Sequence, residues 1–299
     1  MTHRRAQSLW FWMFAGPAVA GFAAFSLWPM LESLWLSFCQ YEVVTPPRFI
    51  GLQNYAYLFA HDASFWPSVK VTLVFTVIQL PLAVGAALAL ALLLNQPVRG
   101  RGFWRAVYFL PSILPQAVFA VVFGYIFQAD GGLLNRLLAL GGLHGAAWTT
   151  SPTWALPVLI GISLWGFGYP MVIFLGGLQN VPRELYEAAH IDGAGAWARF
   201  RHVTLPLISP VIFFNVVMGV IGALKVFDLA YAFSVAQAQP APGGPARATL
   251  FYGLNLYQQA FGYFHMGLAS AMAWLLFVCI LLITAVNFRV GRRWVHYGD

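Results

Sequence analysis

Six stretches of the chain are apolar almost without interruption, and polar residues gather between them. They run from Leu9 to Leu36, Val71 to Leu94, Ala106 to Phe127, Trp154 to Leu178, Leu207 to Val235 and Gly267 to Phe288. A helix needs about 20 mostly apolar residues to cross a bilayer, whereas a barrel strand needs about 10 that alternate. These runs are long and do not alternate. The pattern therefore predicts an all-α integral membrane protein, with six transmembrane helices in one domain over residues 1–299. The first run follows Arg4 and Arg5 and exceeds the apolar core of a signal peptide, about 7–15 residues. No small-residue cleavage site follows Leu36, so this run is expected to be a retained helix.

Composition agrees and adds an orientation. Apolar residues make up 60% of the chain and charged ones 8%, too few to cover a soluble surface. The net charge of +7 could suggest nucleic acid, but its placement says otherwise. Arg4, Arg5, Arg99, Arg101, Arg105, Arg183, Arg199, Arg201, Arg289, Arg292 and Arg293 all fall on one side of the predicted spans. Only Arg48, Lys70, Arg136 and Arg247 fall on the other. Basic loops stay cytoplasmic, so both termini are expected in the cytoplasm and no nucleic-acid partner is needed. Cys39 and Cys279 are the only cysteines, and Cys279 lies deep in an apolar run, so no structural disulfide is expected.

The outer segments differ from the inner ones. Residues 37–66 and 250–264 are rich in aromatics such as Tyr55, Tyr57, Phe251 and Tyr257, as suits the membrane–water interface. Residues 236–248 form a Pro/Gly turn region. Catalytic chemistry is missing from the sequence: there is no GxxxxGK[ST] phosphate loop, HExxH, CxxC or GxSxG. The chain is thus not expected to be an enzyme or to hydrolyse ATP itself.

One inner loop, residues 179–206, is long enough to carry structure. Pro182 suits a first helical turn, and Glu184 places negative charge where the helix dipole favours it. Gly193 then breaks the helix, and a second helix is expected from Ala194 to about His202. Small residues at the elbow (Ala188, Ala189, Gly193, Ala194) would let another backbone approach, flanked by the charges of Glu187 and Asp192.

Transporter sites lie near the bilayer midplane. The middle of the fourth run holds Trp165, Gly166 and Tyr169, and that of the fifth holds Gly219, Gly222 and Ala223. Aromatic rings could stack on a flat sugar face and glycines leave room, yet close helix packing fits the same residues. Lys225 and Asp228, three apart, are expected to share a helix face, either pairing with each other or meeting a solute. Glu32 and Asn215 are further polar groups within spans. Three classes of function remain open on the residues: a subunit of an importer, a self-contained channel or secondary carrier, and a membrane enzyme.

The segment EAAHIDGAGAWARFRHVTLPL, residues 187–207, resembles the EAA signature of ABC importer permeases. Its elements are Glu187-Ala188-Ala189, Gly193 and Leu205-Pro206, with His190 where the sugar branch carries arginine. FAGPAVAGFAAFSLWPMLESLWLSF (14–38), FIGLQNY (49–55), RGRGFWRAVYFLPSILPQAV (99–118) and GGLLNRLLALGGL (131–143) are similar to carbohydrate permeases. So are VFDLAYAF (226–233) and GLASAMA (267–273). The resemblance, to sugar and glycerol-3-phosphate permeases, spans nearly the whole chain. It implies a type I ABC importer permease fold in a bacterial inner membrane. It also implies a second permease, two ATPase subunits and an extracytoplasmic substrate-binding protein as partners, beside membrane lipid. No cofactor is expected in this chain, with ATP and Mg bound by the ATPases. The loop helices would couple to an ATPase through Glu187, Ala188, Ala189, Asp192, Gly193 and Ala194. The resemblance also favours a pathway lined by Trp165, Gly166, Tyr169, Gly219, Gly222 and Ala223, for a sugar or related polyol, with Lys225 and Asp228 kept as pathway candidates on their charge.

Overall fold

The computed structural model describes residues 3–97, 99–237 and 243–295. The expected Pro/Gly turn region therefore lies partly, at 238–242, outside the described residues. The chain starts with α1 (His3–Phe22) and α2 (Trp28–Ser37), joined through a π-helical turn, Ala23–Leu27. A two-residue hairpin follows, β1 (Cys39–Gln40) antiparallel to β2 (Arg48–Phe49), with Cys39 opposite Phe49. Next come α3 (Gln53–Ala60), α4 (Phe65–Asn95), α5 (Arg101–Phe109), α6 (Gln116–Ile126) and α7 (Leu133–Leu140). α8 (Ala155–Leu164), α9 (Gly168–Gln179), α10 (Arg183–Ile191), α11 (Ala196–Arg199) and α12 (Leu205–Leu207) lead on to α13 (Ser209–Leu224). The chain closes with α14 (Asp228–Ala236), α15 (Tyr252–Tyr257) and α16 (Met266–Gly291). It divides into two compact units, residues 1–62 with 256–278 and residues 63–255 with 279–299.

Three of the six expected spans are continuous: Trp10–Ser37, Phe65–Asn95 and Met266–Gly291 are each long and apolar enough to cross a membrane. The other three are broken. Within 106–127 the chain turns by 94° between Arg101–Ile113 and Gln116–Ile126. Leu114 and Pro115 are extended there, and Pro115 has no N–H to carry the helix on. Within 154–178 the bend is 44°, at Trp165–Phe167. The run 207–235 is not one helix. α13 ends at Leu224, Phe227 leaves helical geometry, and α14 restarts at Asp228. Hydropathy reads composition, and these breaks interrupt the helix without interrupting the apolar run.

In the first unit, Asn54 fixes the hairpin. Its buried side-chain amide donates to the carbonyls of Ser37 and Cys39, both at 2.9 Å. Tyr55 Oη donates to Ser37 Oγ at 2.8 Å. Both cysteines are free, and burial pushes the Cys39 thiol up from its ordinary value, which keeps it unreactive.

In the second unit two apolar clusters hold the helices. One joins α4, α6, α8 and α14 through Phe75, Phe119, Leu159 and Phe233, with Phe251 stacked edge-on against Phe75 at 5.0 Å. The other joins α4 to α9 through Ala91, Leu94, Phe174 and Leu178, and extends to Val181 and Ile208 at the two ends of the inner loop. Small residues permit close approaches: the Cβ that Gly177 lacks would press on Val211, and that of Gly168 on the backbone of α5. Asn135 ties the segment after α6. Its amide donates to the Ala129 and Ala146 carbonyls, and its oxygen accepts from Ala146 N and from Trp148 Nε1 at 2.6 Å.

Candidate functional site

Two places in the second unit gather the residues singled out from the sequence. The first is a cavity of about 440 Å³. Gly166, Tyr169, Gly219, Gly222, Ala223, Lys225 and Asp228 all line it. Trp165 is not part of the lining. It packs edge-on against Phe123, with ring centroids 5.5 Å apart. The cavity sits at the helix breaks, for Gln116 opens α6, Gly166 and Phe167 separate α8 from α9, and Lys225–Phe227 separate α13 from α14.

The breaks correct the expected geometry of Lys225 and Asp228. They do not share a helix face, because each belongs to a different helix, and no ion pair joins them. Each charge instead suits its own helix end. Lys225 caps the C-terminus of α13, where free carbonyls carry partial negative charge, and its N–H donates back to the Gly222 carbonyl at 3.2 Å. Asp228 occupies the first turn of α14, where free N–H groups carry partial positive charge. Both side chains are exposed to the cavity.

The glycines divide by role. A Cβ on Gly219 would collide with the Leu80 side chain, so this glycine also lets α13 approach α4. A Cβ on Gly222 would meet nothing within 4 Å. Gln79 and Gln116, not singled out above, also line the cavity, as does Asn215, whose Nδ2 donates to the Val211 carbonyl at 2.9 Å. An isolated amide inside an apolar run was the available signal, since polar groups within a membrane are costly.

The second place is the inner loop. Pro182 is the N-cap of α10, and Glu184 lies in its first turn. Gly193 adopts φ +78°, the left-handed conformation glycine accepts without strain. Its N–H donates to the His190 carbonyl at 3.0 Å, and Ala194 N–H donates to the Ala189 carbonyl at 2.9 Å. This pair of reverse bonds is a Schellman motif, which satisfies carbonyls the helix leaves open. The second helix starts at Ala196, two residues later than expected, and continues as a π-helical turn over Phe200–Thr204. Tyr186 Oη and Thr204 Oγ1 lie 2.9 Å apart and clasp the two arms. Glu187, Ala188, Asp192 and Gly193 are exposed, while Ala189 and Ala194 are partly covered. Ile191 at 84% and Trp197 at 71% exposure stand on either side of the elbow, apolar groups that the sequence reading had passed over.

Apolar spans broken around a cavity, with a helical elbow in one loop, define a helical membrane protein, and its relatives place it in the type I ABC importer permease fold. The chain belongs to the binding-protein-dependent transport system inner membrane component family, whose pattern matches residues 79–296. It is 42% identical over 295 residues to the probable ABC transporter permease protein YesP of Bacillus subtilis (strain 168), covering 98% of this chain and 94% of the relative. It is 36% identical over 280 residues to the lactose transport system permease protein LacF of Rhizobium radiobacter, covering 93% and 91%. In fold it matches a chain of a bacterial alginate ABC transporter, solved in complex with an alginate pentasaccharide-bound periplasmic protein. The TM-score is 0.83 at 21% identity, over 98% of each chain. The protein is therefore a multi-pass permease component of a binding-protein-dependent transport system, a transport subunit and not the ATPase.

Proposed function

We propose that this permease carries a sugar or related polyol, delivered by an extracytoplasmic substrate-binding protein, through the cavity at its helix breaks. The observation that carries this reading is that seven of the eight positions expected to line a pathway, drawn from two spans, meet at that one cavity. Its lining supports a hydroxyl-rich solute. Tyr169 offers an aromatic face, Gln79, Gln116 and Ser163 offer uncharged donors and acceptors, and Gly166 and Gly222 leave space. The names of a lactose permease relative and of an alginate transporter with the same fold point the same way.

In this reading the transporter contains a second permease and two ATPase subunits, which hold ATP and Mg. The elbow of α10 and α11 seats in one ATPase, with Glu187, Ala188, Ala189, Asp192, Gly193 and Ala194 at the contact and exposed Ile191 and Trp197 covered by it. Motion enters through the clasp of Tyr186 on Thr204 and the cluster joining Val181 and Ile208 to α9 and α4. Closure of the ATPases then shifts the spans and alternates access, because the elbow is held differently in the two states. Both termini lie in the cytoplasm. Tyr169→Ala is expected to lower uptake by the complete transporter while the ATPase still co-purifies with the permease. Unchanged uptake would remove the cavity from the pathway, and absence of any co-purifying ATPase would remove the importer reading.

A further inference from the structure

Another cavity, of about 490 Å³, lies between α4, the start of α8 and the turn at 246–248, all within the second unit. Two cations line it, Lys70 and Arg247, and no acidic residue does. Among the described residues no carboxylate pairs with either. Arg247 is held in place, because its Nη1 donates to the Ala63 carbonyl, just ahead of α4, at 2.5 Å. The turn that carries it puts Ala246 at φ +50° and Arg247 at φ +62°, left-handed angles that cost free energy at any residue with a Cβ. Lys70 is exposed, and its side chain makes no hydrogen bond to a described residue.

Most of the remaining lining is apolar, and it is ordered along one helix face. Lys70, Val74 and Ile78 are four apart on α4 with Val71 beside them, so they share a face. Leu156 and Ile160, also four apart, line the same cavity from α8. The order along α4 therefore runs from charge to hydrocarbon. First comes the Ala63 carbonyl that holds Arg247, then Lys70, then apolar positions as far as Ile78, roughly 12 Å beyond Lys70 at about 1.5 Å per residue. Trp66 and Trp154 are exposed near the first residues of α4 and α8, the position interfacial aromatics take.

We infer that this cavity binds one anionic phospholipid, with its head group between Lys70 and Arg247 and an acyl chain along Val71, Val74 and Ile78. Charge complementarity selects this occupant. The two cations and the apolar face line a single cavity, and an anionic lipid carries both complements in one molecule. A free phosphate would leave the apolar face bare, and a zwitterionic lipid would bring a further cation to a site that holds no acid. Ammonium and guanidinium groups both donate charge-assisted hydrogen bonds to phosphate oxygens.

The test uses the full-length chain purified from bacterial membranes and exchanged into nanodiscs of mixed phosphatidylglycerol and phosphatidylcholine. Lipid retained through a detergent wash is counted by mass spectrometry. The native chain should keep phosphatidylglycerol in preference to phosphatidylcholine. Lys70→Gln with Arg247→Gln should weaken that retention about thirtyfold, from about fivefold for each cation near a membrane surface. Lys70→Gln alone, which leaves the turn and its bond to Ala63 in place, should weaken it about fivefold. Arg48→Gln with Arg136→Gln, which removes the same charge elsewhere, should leave it intact. A photoreactive residue in place of Val74 should label lipid, and inorganic phosphate should displace no more lipid than chloride at equal ionic strength. Equal retention in the two double variants, no loss in Lys70→Gln, retention of both lipids alike, labelling of a protein subunit from position 74, or displacement specific to inorganic phosphate would each overturn the proposal.

Discussion

Gly219 and Gly222 sit one turn apart on α13 and line the same cavity, yet a Cβ would strike Leu80 at the first and nothing at the second. Packing and pathway can therefore be separated by substitution. Gly219→Val should cost about 1–3 kcal/mol by overpacking, read as a lower melting temperature of the purified protein. Gly222→Phe should leave the melting temperature unchanged and abolish uptake by filling the cavity. A loss of stability in both would assign both glycines to packing. The sequence could mark these positions as small but could not say which face each presents, because that depends on where Leu80 lies on another helix. The same limit applies to Trp165, whose neighbour Gly166 lines the cavity while the indole turns to Phe123.

At the level of elements, the inner loop was largely legible in advance. Its stop signal is a backbone requirement, and only a few residues accept φ near +78°. Nothing lies within 4 Å of the Cβ position of Gly193, so substitutions there act through backbone strain within this chain. Gly193→Asn should retain most coupling, since asparagine visits the left-handed region. Gly193→Val should pay about 1–2 kcal/mol locally and lower the ratio of solute imported to ATP hydrolysed. Equal ratios in the two variants would show that the elbow angle is irrelevant to coupling. The spans were legible as far as their breaks. α4 and α16 fill their apolar runs, whereas 207–235 conceals two helices because Lys225–Phe227 interrupt geometry within a hydrophobic context. The two charges at that break were legible only as a polar pair. That they match the opposite ends of successive helices follows from the break itself.

For the molecule as a whole, the placement of the basic residues supports the proposed orientation, and the prediction is a pattern of reporters. A fluorescent protein fused after residue 295 should fluoresce and alkaline phosphatase there should be inactive, whereas phosphatase fused at residue 145 should be active. The reverse pattern would invert the topology and place the elbow outside the cell. Within that topology the breaks in the spans acquire a mechanical meaning. A straight span behaves as one rod, so its outer end cannot lean without its inner end leaning the opposite way. The bends of 94° and 44° and the interruption at Lys225–Phe227 cut three of the spans in the cavity wall into short rods, several no longer than about half a bilayer, beside the continuous α4. At each cut the regular i→i−4 ladder gives way to i→i−3 bonds, such as Phe167 N–H to the Leu164 carbonyl at 3.3 Å and Lys225 N–H to the Gly222 carbonyl at 3.2 Å, so a tilt there breaks few regular helical bonds. In the proposed cycle the inner rods of the broken spans follow the elbow while their outer rods stay in place, so that part of the wall works as two leaves on a seam at the level of the cavity, against the continuous α4.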